Sequence, residues 1–323
     1  MVALSDAGRL LVVFPGQGSQ AEGMAEPLWE YPVARQTFAE ASEILGWDVG
    51  QLCRFGSMAE LTRTDRTQLA VICSSVATWR VLAEAGASFA VAAGHSLGEY
   101  SALVAAGILS FEDALRVVDA RGRAMQACAE RRPGTMAAVI GLEDAVVEEV
   151  CAAIPEVWVA NYNSPGQVVI SGASQGVGVA GEAALARGAK RVIPLPVAGA
   201  FHTPFMAEAA EALMEALARA EFKPGDGIFF STTEMRVPKP EELPAVLARQ
   251  LTSPVRFTQS MRLILQGGFV PALPDEPAPQ AAIEIGPGNV LAGLMKRIAR
   301  DFPVTSTGDR EALEAVLSEL AGS

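Results

Sequence analysis

The segment VAAGHSLGEYSALVAAG, residues 91–107, constrains the fold of this chain more than any other. It predicts a short buried strand, a sharp turn over residues 94–98 and a helix of small residues that ends at Gly107. The turn has the form Gly-x-Ser-x-Gly, which places a serine oxygen at a strained corner between strand and helix. A glycine-rich corner whose serine merely caps the helix is the plainer alternative. Ser96 is therefore a candidate nucleophile, and it needs a base to remove its proton.

Candidates for that base are few, because the chain has only two histidines. His95 is adjacent to Ser96, and successive side chains at such a turn point apart. His202 lies in PVAGAFHTPFM, and a distant loop could bring it over the turn. A histidine beside aromatic residues is commonly structural, but here we favour His202 as the base. No aspartate stands in a motif that would complete a triad, so a backbone carbonyl or an amide could orient the histidine.

Hydrophobic patterning predicts an α/β fold with a second unit inserted into it. Before residue 131 strands and helices alternate, as in a sheet with helices on its faces. From 133 to 198 the order becomes strand, helix, strand, strand, helix, strand, which is that of a small ferredoxin-like unit. We therefore predict a large subdomain of residues 1–132 and 199–323 and a small subdomain of residues 133–198. The main predicted elements are strands at 10–14, 89–93, 136–142, 191–197 and 282–285, a hairpin at 157–172, and helices at 68–85, 111–130, 144–154, 178–188 and 204–220.

The net charge of −12 argues against nucleic acid or an anionic membrane surface as a general partner. An acidic partner would need a local basic patch, although clusters of this kind are commonly just solvated faces. The two candidate patches are Arg187/Lys190/Arg191 and Lys296/Arg297/Arg300.

Other features of the composition indicate a soluble enzyme of a reducing compartment. The N-terminus is not a signal peptide, and no apolar stretch is long enough to span a membrane. The four cysteines form no Cys-x-x-Cys pair, and two histidines are too few for a histidine-rich metal site. We expect a cytoplasmic monomer without a metal ion.

Arg121 is the most informative charged residue. The helix predicted after Ser110 carries an apolar stripe, and Arg121 borders or joins it. A guanidinium there must pair with an anion or reach water, because an unpaired buried charge is very costly. Snorkelling or an internal salt bridge would satisfy it. The functional alternative is a bidentate clamp on a substrate carboxylate.

The glycine-rich turn GQGSQ, residues 16–20, follows the first predicted strand. It lacks the Gly-x-Gly-x-x-Gly pattern and the Lys-Ser/Thr ending of phosphate-binding loops. We expect it to contribute one backbone N–H group to an oxyanion hole. The N–H group of Leu97, directly after the candidate nucleophile, would be the other donor.

Six motifs occur in order along the chain: FPGQGSQ, GHSLGEY, VVDARGRAMQ, GAFHTP, RQLTSPVRF and EIGPGNVL. Together, from about Val12 to Arg297, they closely resemble the malonyl-CoA:acyl carrier protein transacylase family. That family includes stand-alone enzymes of bacterial fatty acid synthesis and the acyltransferases of polyketide synthases. Its fold, an α/β-hydrolase-like body with an inserted ferredoxin-like subdomain, agrees with the unit predicted at 133–198. The resemblance implies malonyl transfer from malonyl-CoA to the phosphopantetheine thiol of an acyl carrier protein, through a malonyl-serine ester and without a cofactor.

The resemblance also implies roles for the residues that match the family's motifs. Ser96 is expected to be acylated and His202 to act as its base, oriented by the main-chain carbonyl of Gln250. Phe201 before the histidine is like the malonyl-selective members, whereas members that choose methylmalonyl tend to carry serine there. The other implied residues are Gln17 and Leu97 for the oxyanion, Arg121 for the malonyl carboxylate, and Gln68, Asn161 and Asn163 in the pocket.

Two rival functions use the same sequence features. A thioesterase or acyl hydrolase would use Ser96 and His202 but finish on water, and it would have no use for a cation in the acyl pocket. A non-catalytic scaffold would have kept the fold alone, which an intact Ser, His and Arg set disfavours. The segment 228–244, IFFSTTEMRVPKPEELP, departs from the shorter segment of the fatty-acid members, so the pathway and the carrier protein stay open.

Overall fold

The computed structural model describes residues 10–269 and 277–322. The predictions on a signal peptide and on the outer limits of the large subdomain concern residues outside these ranges. The described part contains nine strands and thirteen α-helices. The strands are β1 Leu10–Phe14, β2 Val91–Gly94, β3 Thr135–Ile140, β4 Val157–Ser164, β5 Gln167–Gly172, β6 Arg191–Pro194, β7 Ile228–Phe230, β8 Ala281–Glu284 and β9 Val304–Ser306. The helices are α1 Pro32–Leu45, α2 Val49–Phe55, α3 Met58–Leu61, α4 Thr64–Glu84, α5 Gly98–Ala105, α6 Phe111–Arg131, α7 Asp144–Ala152, α8 Ser174–Ala186, α9 Ala207–Arg219, α10 Leu243–Gln250, α11 Phe257–Gln266, α12 Val290–Ile298 and α13 Arg310–Ala321.

The larger sheet is parallel, and β1 lies at its centre. Its order is β7-β2-β1-β8-β9, and every described pair in it runs parallel. All five residues of β1 are buried, which is typical of a strand covered by helices on both faces. Phe14 is in register with Gly94, so the loops after β1 and β2 emerge side by side. Ligands of open α/β sheets bind at this carboxyl edge.

The smaller sheet is antiparallel and has its own core. Its order is β4-β5-β3-β6, and its chain order is strand, helix, strand, strand, helix, strand. A separate apolar cluster fills the space between this sheet and the helices α7 and α8. An α/β fold with a parallel sheet and a separate antiparallel unit is therefore confirmed, while the exact limits of the two subdomains stay a prediction.

Two helices begin differently from the sequence prediction. The helix predicted at 68–85 begins four residues earlier, at Thr64, because its first turn carries no apolar stripe to reveal it. The helix predicted at 204–220 starts as a short 3-10 turn at Pro204–Met206 before α9. Helix α6 begins directly after Ser110 as predicted, and Ser110 caps it, since its hydroxyl accepts the backbone N–H of Asp113.

Close backbone approach shapes the elbow, which is the turn over residues 94–98. A Cβ atom on Gly98 would lie 1.9 Å from the carbonyl oxygen of Phe14, and one on Gly94 would lie 2.0 Å from the carbonyl carbon of Gly98. Only glycine fits at these two positions, so β1, β2 and α5 pack closer than side chains would allow. Among the described residues no helix is both long and apolar enough to cross a membrane.

Candidate active site

Ser96 and His202 meet at the carboxyl edge of the parallel sheet. Ser96 Oγ lies 2.9 Å from His202 Nε2. The two residues also share a left-handed backbone, with φ of 53° at Ser96 and 59° at His202. This conformation is uncommon for residues with a side chain, and strain of this kind clusters at functional sites. The structure thus brings together the hydroxyl and the imidazole that the sequence singled out, across 106 positions of chain.

The surroundings of His202 fix its tautomer. Nδ1 lies 2.9 Å from the carbonyl oxygen of Gln250 and 3.1 Å from that of Ser253. Carbonyl oxygens only accept hydrogen bonds, so Nδ1 carries the proton and Nε2 offers its lone pair to Ser96. Burial, reinforced by the nearby positive charge of Arg121, lowers the pKa of His202 to about 3. The imidazole is therefore neutral at physiological pH and able to accept a proton.

Arg121 is buried and holds no carboxylate. Its exposed fraction is 1%, and no acidic side chain lies within salt-bridge distance of it in the described ranges. Nη1 donates to Gln68 Oε1 at 2.6 Å, and Nη2 lies 3.0 Å from both Ser96 Oγ and Gln250 Oε1. The structure supports neither snorkelling nor an internal salt bridge, the two plainer interpretations. Because all direct hydrogen-bond partners of this guanidinium are neutral, no carboxylate of the chain competes with a bound anion for its N–H donors.

Helix packing explains how Gln68 reaches Arg121. Gly122 on α6 faces α4, and a Cβ atom there would lie 3.2 Å from the Cα atom of Asp65. The two helices approach closely at this point, one turn from Gln68. The side-chain amide of Gln68 also lies 3.4 Å, through Nε2, from the sulfur of Met125. Gln68 is fully buried and thereby held with its oxygen toward the guanidinium.

Gln250 contacts all three candidate groups. Its main-chain carbonyl accepts from His202, its side-chain oxygen accepts from Arg121, and its Nε2 donates to the carbonyl oxygen of Ser96 at 3.1 Å. The expected main-chain contact to the histidine is present, and the side-chain contacts were not expected from the sequence. Nε2 also donates to Glu99 Oε2 at 2.6 Å.

Glu99 is a buried carboxylate that the sequence prediction missed. It is fully buried on α5, where Oε1 accepts the backbone N–H of Thr232 at 2.6 Å and the hydroxyl of Ser231 at 3.2 Å. Burial raises the pKa of Glu99, and the hydrogen bonds from Thr232 and Gln250 oppose that shift. The signal in the sequence was a single carboxylate in the otherwise small and apolar stretch after Ser96.

A cleft of about 250 Å³ is lined by Ser96, Arg121 and His202, whereas Gln68, which was expected in the pocket, does not line it and contacts Arg121 instead. Gln17 and Leu97, the two expected oxyanion donors, both line it, as does Phe201. Phe201 is 5% exposed, so its ring forms a fixed part of the wall. Val290, Leu291 and Leu294 of α12 add an apolar side near the basic cluster 296–300. Arg297 of this cluster donates to Gln167 Oε1 at 2.7 Å, and Gln167 lines the cleft.

His95 is bound to the small sheet instead of to Ser96. Its Nε2 lies 2.9 Å from Asn163 Oδ1 and 3.4 Å from Asn161 Nδ2. The shorter contact requires His95 to donate from Nε2 to Asn163. Burial lowers the pKa of His95. Both asparagines that the resemblance pointed to therefore line the cleft, and Asn163 holds His95 by a hydrogen bond, while His202 faces the serine.

Within the described ranges no three His, Cys, Asp or Glu side chains are grouped as a metal ion would require. The four cysteines are buried and unpaired. Burial raises the pKa of the Cys53 and Cys151 thiols to about 12, which keeps them protonated and unreactive.

The family model described as the acyl transferase domain matches residues 11–313 of this chain. The curated malonyl CoA-acyl carrier protein transacylase of Salmonella typhimurium is 41% identical over 313 residues, covering 95% of this chain and 98% of that protein. That of Bacillus subtilis is 39% identical over 318 residues, covering 97% of both.

Solved structures give the same picture. A malonyl-transacylase in complex with a holo type II PKS acyl-carrier protein superposes with a TM-score of 0.89 at 40% identity, covering 96% of this chain and 99% of that chain. The crystal structure of MCAT from Streptococcus pneumoniae gives a TM-score of 0.88 at 37% identity, covering 96% of this chain and all of the other.

Proposed function

Because the chain belongs to the acyl transferase domain family, we propose that it transfers a malonyl group from malonyl-CoA to the phosphopantetheine thiol of an acyl carrier protein. The observation that carries this proposal is the arrangement around Ser96, whose Oγ lies 2.9 Å from a neutral imidazole and 3.0 Å from a buried guanidinium. The first contact supplies a base, and the second supplies a partner for a carboxylated acyl group.

In the first half-reaction Ser96 attacks the malonyl thioester. His202 Nε2 takes the hydroxyl proton as the Oγ–carbonyl bond forms, and the positive charge on the ring is stabilised by the carbonyls of Gln250 and Ser253. The negative charge on the thioester oxygen is held by the backbone N–H groups of Gln17 and Leu97. The carbon–sulfur bond then breaks, and His202 returns its proton to the departing CoA thiolate.

In the second half-reaction the carrier's thiol repeats the steps in reverse. His202 accepts the thiol proton, the sulfur attacks the ester, and the proton returns to Ser96 Oγ as malonyl-phosphopantetheine leaves. The enzyme is unchanged at the end of the cycle. Proton transfer, oxyanion stabilisation and carboxylate binding all come from the chain's own groups, so we propose that it needs no cofactor.

Arg121 selects the acyl group in this scheme. A malonyl carboxylate would accept two charge-assisted hydrogen bonds from the guanidinium. Gln68 accepts from Nη1 and Gln250 from Nη2, so the orientation of the guanidinium is already fixed before the substrate binds. Phe201 narrows the pocket against a branched acyl group. The buried cation also counts against a hydrolase of acetyl-like chains, which would gain nothing from it.

The cellular setting follows from this chemistry. We propose a cytoplasmic monomer with malonyl-CoA and an acyl carrier protein as partners, supplying extender units for fatty acid or polyketide synthesis. We propose that acidic groups of the carrier bind the basic cluster 296–300 and that neither nucleic acid nor a membrane is a partner.

Mass spectrometry of the acylated chain tests the proposal. Purified protein is mixed with malonyl-CoA, quenched in acid and analysed intact and after digestion. One malonyl group is expected per chain, on the peptide that contains Ser96, and none on Ser96→Ala. An unmodified wild-type protein, or a malonyl group on another residue, would overturn the proposed mechanism.

A further inference from the structure

The side-chain amide of Gln250 lies between an acceptor group, the Glu99 carboxylate, and a donor group, the Arg121 guanidinium. Glu99 as a carboxylate only accepts hydrogen bonds, and Arg121 only donates them. The amide bonds to both groups: its Nε2 donates to Glu99 Oε2 at 2.6 Å, and its Oε1 accepts from Arg121 Nη2 at 3.0 Å. Exchanging the two ends of the amide would put donor against donor at Arg121 and acceptor against acceptor at Glu99. The orientation of the amide is therefore set by its two neighbours.

Glu99 is in turn fixed from its other side. Its Oε1 accepts from the Thr232 backbone N–H at 2.6 Å, and its Oε2 accepts from Gln250 at the same distance. Both carboxyl oxygens thus accept hydrogen bonds from N–H groups, which is the pattern of an ionised carboxylate. Only a carboxylate can accept at both ends, because a carboxamide has one donor end. In the series of hydrogen bonds from Thr232 through Glu99 and Gln250 to Arg121, the donor and the acceptor of each bond are therefore fixed.

A buried arginine that binds a substrate needs a negative charge nearby, but its N–H donors must stay available to the substrate. A carboxylate bonded directly to Arg121 would compensate its charge but would compete with a substrate carboxylate for the same donors. Gln250 separates Glu99 from Arg121, so the negative charge of Glu99 compensates that of the guanidinium without occupying its N–H donors.

We infer that Glu99 is a positioning residue for malonyl selectivity, acting on Arg121 through the side-chain amide of Gln250. The inference rests on the proposed function, because it concerns how the acyl group is chosen in that reaction. Glu99 touches neither the thioester nor the Ser96 hydroxyl in this account.

The test is Glu99→Gln, read as the ratio of acylation rate constants for malonyl-CoA and acetyl-CoA. Removing a nearby negative charge would by itself favour an anionic substrate, so simple electrostatics predicts a higher ratio. Loss of positioning predicts a lower ratio, by about tenfold or more, as for a weakened hydrogen bond to a charged group. A general loss of structure would lower both rate constants equally and leave the ratio unchanged.

Two further comparisons link the effect to Arg121. In the Arg121→Ala background, Glu99→Gln should change the ratio no further, because the group it positions is gone. Glu284→Gln is the matched control, since Glu284 is also fully buried and accepts backbone N–H groups, at Leu291 and Ala292, but has no link to Arg121. Because Leu291 lines the cleft, both rate constants should fall together in Glu284→Gln, and their ratio should equal that of the wild type.

A second variant covers the case in which Glu99→Gln does not fold. Gln250→Met has nearly the same shape, keeps the main-chain carbonyl on His202 and removes only the amide, so it should lower the ratio in the same way. An unchanged or raised ratio in the variant that folds, or a persistent effect of Glu99→Gln beside Arg121→Ala, would overturn the inference. Failure of the wild-type protein to form a malonyl ester on Ser96, measured in the same experiment, would instead overturn the proposed function.

Discussion

Replacing Arg121 by alanine should change which acyl group the chain accepts. The guanidinium is buried beside Ser96, and its hydrogen bonds to Gln68 and Gln250 aim it at the space that the acyl group would occupy. A hydrogen bond between charged groups is worth about 1.5–3 kcal/mol, so losing even one of those made to the malonyl carboxylate costs about 10- to 150-fold in kcat/KM. Acetyl-CoA has no carboxylate and should lose far less.

The assay is release of CoA in the first turnover, with malonyl-CoA and acetyl-CoA compared on Arg121→Ala and on wild type. Arg116→Ala is the control, because Arg116 lies on the same helix but is exposed and pairs with Glu112. Thermal unfolding of each variant separates a stability effect from a selectivity effect. An equal loss for both substrates, or an unchanged preference, would refute the view that Arg121 binds the acyl carboxylate.

Three further outcomes follow from the same site. The lowered pKa of His202 keeps the ring unprotonated, with its Nε2 lone pair available, well below pH 6.5. The value of kcat/KM for acylation should therefore stay level from about pH 8 down to about pH 5; a pH profile with a midpoint near 6.5 would contradict this. When malonyl-CoA and methylmalonyl-CoA compete, Phe201→Ser should lower the preference for malonyl-CoA by about tenfold, which is within the range for one methyl group; an unchanged preference would show that Phe201 does not exclude the branched acyl group. Gly98→Ala should unfold at a clearly lower temperature, because the new Cβ would lie 1.9 Å from the Phe14 carbonyl oxygen; an unchanged melting temperature would show that the elbow can widen.

The sequence predicted the parts of this site that depend on local order. A strand, a Gly-x-Ser-x-Gly turn and a helix of small residues are contiguous, so the conformation of Ser96 could be inferred from 17 letters, residues 91–107. With two histidines in the chain, His202 could be reached by elimination of His95 on geometric grounds. The structure agrees, because His95 is held by Asn163.

The sequence could not predict contacts between distant polar side chains. Glu99 and Gln250 are 151 positions apart, and neither residue type signals a buried partner. The sequence also could not predict whether Arg121 is buried, since a side chain at the border of an apolar stripe can turn inward or extend to water. The close approach of α4 and α6 at Gly122, together with the acceptors Gln68 and Gln250, decides in favour of burial.

The central claim is that the acyl group passes from Ser96 to a carrier thiol. The most direct measurement isolates the malonyl-enzyme, adds a holo acyl carrier protein, and follows both the ester on Ser96 and the malonyl group on the carrier over time. We expect the ester to disappear as malonyl-carrier appears in equal amount, and to persist much longer in buffer alone. Free malonate formed at the same rate with and without the carrier would instead identify a hydrolase and contradict the account.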